Sequence, residues 1–140
     1  MKVVSRKSSN PATQRRDLML SQRTRAAALR QVFPDVAQLQ IELVFNDVTT
    51  AMPSPQVHTL YPAAPAFFRF VCPCADCDGD FDLTIAVTEL IGNASGRKRG
   101  RISASGQLCC HGIRLRDRAT NKPCSMQLNF QLVASPPTTA

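Results

Sequence analysis

The chain of 140 residues has no tryptophan, a single tyrosine (Tyr61) and two histidines (His58 and His111). It also has no apolar run near the roughly 20 residues that a membrane-spanning helix needs, so no association with a membrane is expected. Each shortage removes a class of function. Tyr61 stands in a proline-rich stretch and Phe67, Phe68 and Phe70 read as core, which argues against recognition of single strands by stacking and leaves binding led by phosphate contacts. Two separated histidines do not build a hydrolytic site, and a Cys–His nucleophile would need His58 to reach a thiol across the fold. No GxxxxGK[ST] pattern occurs, which excludes a P-loop. The chain is therefore read as non-enzymatic. Its opening, MKVVSRKSSN, holds no apolar core of a secretory signal, so reduced thiols and a cytoplasmic location are expected.

What the chain does have is six cysteines in two groups: Cys72, Cys74 and Cys77, then Cys109, Cys110 and Cys124. A disulfide framework suits them poorly in a reducing compartment, and the adjacent Cys109 and Cys110 would each need a separate partner. Six small core residues without metal are the plainest alternative. Thiolates from two hairpins suit tetrahedral Zn²⁺, and four of them fasten strand ends too short to stay paired unaided.

Strand phase selects which four. Residues two apart share a face, so Cys77 falls in with Phe81, Leu83, Ile85 and Val87, and Cys124 with Met126, Leu128, Phe130 and Leu132. Cys110 is in phase with Leu108 and Ile102, and Cys72 with Phe70 and Phe68. The predicted ligands are Cys72, Cys77, Cys110 and Cys124, with Cys74 possible in place of Cys72 through its CxxC spacing to Cys77, and His111 an alternative to Cys110. Cys109 points outward with Gln107 and Ser105. Four thiolates leave no open coordination position, so the Zn²⁺ is predicted to be structural.

Around this clip the pattern predicts an α+β fold. Residues 1–13 are polar and basic and read as a disordered tail, residues 14–134 as a single zinc-stabilised domain, and residues 135–140 as a second tail. Good helix formers over residues 14–32, stopped by Pro34, predict one basic helix. Residues 39–45, 66–71, 80–87, 101–110 and 126–133 predict a mostly antiparallel sheet of about five strands. Residues 51–65, with four prolines, cannot be a central strand or a helix and read as an extended connection crossing the sheet edge or one face. The two cysteine-bearing hairpins resemble zinc-ribbon domains in outline over residues 66–133, a likeness that implies no function of its own.

Charge is arranged in three blocks. Residues 1–33 hold eight basic residues against Asp17, residues 34–91 hold eight acidic residues against Arg69, and residues 92–140 again hold eight basic residues against Asp117. The net charge of +7 thus hides a strongly dipolar distribution, which steers an acidic partner to one side. Asp76, Asp78, Asp80 and Asp82 do not form an EF-hand loop, because Phe81 and Val87 stand where glycine and glutamate are required, and alternating acids on the solvent face of a strand explain them. The loop GNASGRKRGR carries Arg97, Lys98, Arg99 and Arg101 between glycines and is suited to following a phosphate backbone. The sequence therefore favours a binding protein that engages RNA, DNA or a ribonucleoprotein through its basic segments. The alternative is a regulatory or adaptor module whose partner is an acidic protein surface.

Overall fold

A computed structural model describes residues 11–46, 55–74, 77–94, 100–115 and 121–137. The strict alternation after Ala37 becomes β1 (Gln38–Asn46), with Leu39, Ile41 and Leu43 fully buried and Phe45 nearly so. The same period runs through β8 (Gln127–Ser135), which buries Leu128, Phe130, Leu132 and Ala134 on the same side of the sheet. These two strands pair antiparallel over nine residues and form the centre of a four-stranded antiparallel sheet. Each such leucine, isoleucine or phenylalanine contributes about 1.5–3 kcal/mol on leaving water.

The edges are β2 (Gln56–Leu60) beside β1 and β5 (Ile102–Cys109) beside β8. β2 lies within the proline-rich connection, in the one stretch free of proline between Pro55 and Pro62, and it is an edge strand as a proline-bounded segment must be. On β5, Gly106 stands opposite Phe130, and the ring covers it so closely that a Cβ there would come within 2.7 Å of Cζ.

Two smaller ribbons supply the other strands among the described residues. β3 (Arg69–Val71) pairs with β4 (Asp80–Asp82), and β6 (Ile113–Leu115) pairs with β7 (Asn121–Pro123). The sheet of about five strands is thus corrected to a four-stranded sheet and two separate ribbons.

The predicted strand over residues 80–87 is corrected as well. It ends at Asp82, and helix α3 (Thr84–Ala94) follows. The Asp82 carboxylate accepts a hydrogen bond from the Thr84 N–H at 2.9 Å, satisfying one of the donors a helix start leaves open. Leu83 and Val87 are fully buried, with Leu90 and Ile91 packed against the core, which is helical spacing, whereas Ile85 is 72% exposed. The run Phe81, Leu83, Ile85, Val87 fits both periods, and the need to cover the inner face of the sheet decides for the helix.

The single helix over residues 14–32 is two: α1 (Pro11–Arg25) and one turn, α2 (Leu29–Val32). Residues 1–10 lie outside the described part, and the helix starts within the stretch read as a tail. Ala26, Ala27 and Ala28 favour helix by propensity, but the backbone there pairs elsewhere. Ala27 O accepts from Ala66 N–H, Leu29 N–H donates to Ala64 O and Arg30 N–H to Pro62 O, so the chain crosses the proline-rich connection in extended form. Gln31 then caps α2 by accepting from the Ala28 N–H at 3.1 Å. No helix among the described residues is long and apolar enough to cross a membrane.

Candidate metal centre

The two ribbons bring four thiols together. Cys72 leaves β3 and its N–H donates to Gly79 O, while Cys77 turns back by donating to Cys74 O. On the other side Cys110 continues β5, donating to Met126 O, and Cys124 follows β7, donating to Gly112 O. All four side chains are buried. Their sulfurs lie within 4.8 Å of one another, with Cys72 Sγ 3.7 Å from Cys124 Sγ and Cys77 Sγ 3.6 Å from Cys110 Sγ.

That spacing suits a metal ion. A tetrahedron of sulfurs about 2.3 Å from a central ion has edges of about 3.8 Å. A disulfide needs sulfurs about 2.05 Å apart, and all six cysteines are free.

The four thiols do not hold their protons equally. The Cys110 thiol is brought down to about 5, first by its hydrogen bond with Cys72, with the Gly112 N–H assisting against the cost of burial. Cys72 is pushed up, first by the same hydrogen bond and then by burial, and Cys77 is pushed up to about 12, chiefly by burial. One thiolate is solvated by its protonated neighbours, and further thiolates beside it are opposed by charge and dryness. A cation held at the centre would permit all four to ionise together.

The two ribbons use one device twice. Cys77-Asp78-Gly79 and Cys110-His111-Gly112 each turn so that the glycine N–H donates to the cysteine two residues earlier, at 3.2 Å for Gly79 to Cys77 Sγ and 3.3 Å for Gly112 to Cys110 Sγ. The glycines meet face to face. A Cβ on Gly79 would lie 2.5 Å from Cys110 Sγ and 2.9 Å from Gly112 N and Cα, and one on Gly112 would lie 2.8 Å from Cys77 Sγ and against the Gly79 backbone. Glycine is required here by close approach of two backbones. Sequence reasoning missed both positions, although the repeated Cys-x-Gly was in view.

Cys74 is half-buried and outside the four, Cys109 is exposed as phase predicts, and His111 is exposed and not part of the cluster. Among the described residues no other group of three or more His, Cys, Asp or Glu side chains converges. The acidic ladder is not a uniform solvent face. Asp80 is only 17% exposed and accepts from Arg69 Nε at 3.1 Å and Nη2 at 2.7 Å, with Arg15 Nη2 at 3.0 Å, while Asp82 caps α3. Through these contacts, and through Arg16 Nη2 donating to Cys74 O at 3.3 Å, α1 is fastened to the cysteine-bearing ribbon. Of the basic loop, Arg101 is exposed, whereas Arg97, Lys98 and Arg99 lie outside the described residues. Compared with protein-family models, with curated proteins and with solved structures, the chain has no match in any of the three.

Proposed function

We propose that this protein is a non-enzymatic binding module in which Zn²⁺ held by Cys72, Cys77, Cys110 and Cys124 is structural, and in which the basic segments engage nucleic acid or a ribonucleoprotein. The observation that carries the metal assignment is the set of four buried sulfurs within 4.8 Å of one another, two pairs of them at 3.6 and 3.7 Å. Soft thiolate donors in that arrangement suit zinc, with iron as the competitor, and four protein ligands leave no position for substrate. Thiolates available for a metal are compatible with the reducing cytoplasm.

The binding reading rests on charge. Two basic blocks flank an acidic one, and on α1 neither Arg16 nor Arg23 has a carboxylate within ion-pair distance among the described residues. Guanidinium groups in that state are suited to phosphate. An acidic protein surface would answer the same charges and is the second reading.

Native mass spectrometry before and after a strong chelator identifies the metal and its stoichiometry, with one Zn²⁺ expected; a metal-free, reduced protein of unchanged thermal stability would refute a structural role. Titrating salt against binding to random-sequence RNA and DNA tests the rest. Affinity should fall linearly with the logarithm of salt concentration, and no binding of any form at low ionic strength would leave the acidic protein surface as the reading to pursue.

A further inference from the structure

Between α1, β2 and β3 lies an open cleft of about 440 Å³, within the range of small-molecule sites. Arg16 and Arg23, seven residues apart on α1, both border it. Arg16 spends one Nη on Cys74 O, and Arg23 donates to Arg69 O at a long 3.5 Å. Arg69 also lines the cleft but is neutralised by Asp80. Two positive charges are left without a carboxylate among the described residues.

The floor carries aromatic side chains. Phe70 lies there with the His58 ring centroid 5.0 Å away and tilted by 42°, and the Arg23 guanidinium carbon is 6.0 Å from its centroid and 5.3 Å from that of Phe67, so a base entering the cleft meets planar groups set at an angle to one another. Gln56 and His58, both on edge strand β2, supply donors and acceptors at the rim.

We propose that this cleft binds a nucleotide, its phosphate on Arg16 and Arg23 and its base over Phe70 and His58. The assignment rests on the nucleic-acid reading above and narrows it to an unstacked base, because bases held in a duplex cannot enter a cleft of this kind. Guanidinium forks match phosphate oxygens two at a time, and bases stack on phenylalanine, histidine and guanidinium planes alike. Such a nucleotide comes either as a unit of a single strand or free in solution. An acidic peptide would use the arginines but has no use for the aromatic floor.

The test uses the full metal-loaded chain and fluorescence anisotropy with a labelled thymidine decamer, the same strand in duplex, thymidine 5′-monophosphate as competitor, and polyglutamate. The single strand is expected to bind more tightly than the duplex. Arg16→Ser with Arg23→Ser should weaken it at least tenfold, and Phe70→Leu about 5- to 150-fold, the range set by loss of one stacked base. Metal content and circular dichroism verify folding of each variant. As a readout independent of variants, a 5-bromouridine strand should photocrosslink to peptides containing His58 or Phe70. Displacement of the strand by the monophosphate assigns the site to a free nucleotide as well, and strand binding without such displacement assigns it to strands alone; both support the cleft. Preference for duplex, or single-strand affinity unchanged in the double arginine variant, overturns the cleft while leaving nucleic-acid binding in place. Binding of polyglutamate with no binding of any nucleic acid overturns both.

Discussion

Substituting Gly79 or Gly112 by alanine probes whether contact between the two ribbons sets the metal centre. The added methyl of Gly79→Ala would stand 2.5 Å from Cys110 Sγ and 2.9 Å from the Gly112 backbone, where ordinary contact begins at 3.4 Å. Neither obstacle is the far end of a flexible side chain. The ribbons must part by about 1 Å to restore normal contact, and that takes the Cys77 to Cys110 sulfur separation from 3.6 Å to beyond the tetrahedral edge of about 3.8 Å. Overpacking of this kind costs about 1–3 kcal/mol. Charged entirely to metal binding, it weakens affinity about 5- to 150-fold, since about 1.4 kcal/mol corresponds to a factor of ten. Competition with a chromogenic chelator measures the affinity, and thermal melting measures the accompanying loss of stability. Gly92→Ala is the control. It lies in α3 with no atom within 4 Å of the added Cβ, so it should leave metal affinity alone and stabilise the helix by about 0.5–1 kcal/mol. Wild-type metal affinity and melting temperature in both ribbon variants would refute the claim that this backbone contact governs the site.

The same geometry sets three further outcomes. Cys77→Ser and Cys124→Ser should each cause large loss of metal and of folded protein in chelator titrations, whereas Cys109→Ser, at an exposed position outside the cluster, should be mild; equal damage from all three would overturn the assignment. Asp80→Asn leaves Arg15 without its carboxylate and Arg69 with only Asp82 at 3.9 Å, and should cost about 1–3 kcal/mol in urea denaturation, with faster amide exchange concentrated in α1. His58 is held below its ordinary value of 6.5, first by burial and then by the charge of Arg23, so the folded state favours the neutral ring. Its contribution is complete above the unfolded value and is lost as pH falls below 6.5 toward the folded value; melting temperatures across that window should therefore slope downward with acid, and His58→Gln should flatten the slope.

The central sheet was legible because β1 and β8 bury one face and leave the other to polar side chains, so alternation is enforced over nine residues in each. The same alternation led to the convergence of the cysteines. Cys110 and Cys124 flank the ends of β5 and β8, and their phase carries over from residues that are strands in fact. The phase of Cys77 is carried backward from Phe81, Leu83, Ile85 and Val87, of which only Phe81 lies on the true strand β4; its phase alone gives the same face for Cys77. Where alternation and helical spacing coincide, as at Leu83 and Val87, local pattern has no power to choose. The choice is made by the sheet's uncovered inner face and by the Asp82 cap.

Other features depend on contacts between distant segments and leave no local trace. Ala26 to Ala28 is the stretch most suited to continue a helix, and the helix breaks there because Ala27 O, Leu29 N–H and Arg30 N–H bond to residues 62–66 instead. Gly79 and Gly112 are 33 positions apart, and each is needed only because the other is there. The acidic ladder shows the limit most clearly. Asp80 and Asp82 have the same side chain and belong to the same short strand, so spacing treats them alike. One is held by two arginines, Arg15 arriving from α1, and the other turns the chain into a helix. Their roles are set by the reach of Arg15 from α1 to Asp80 and by the start of α3 at the end of β4, and charge patterning carries neither.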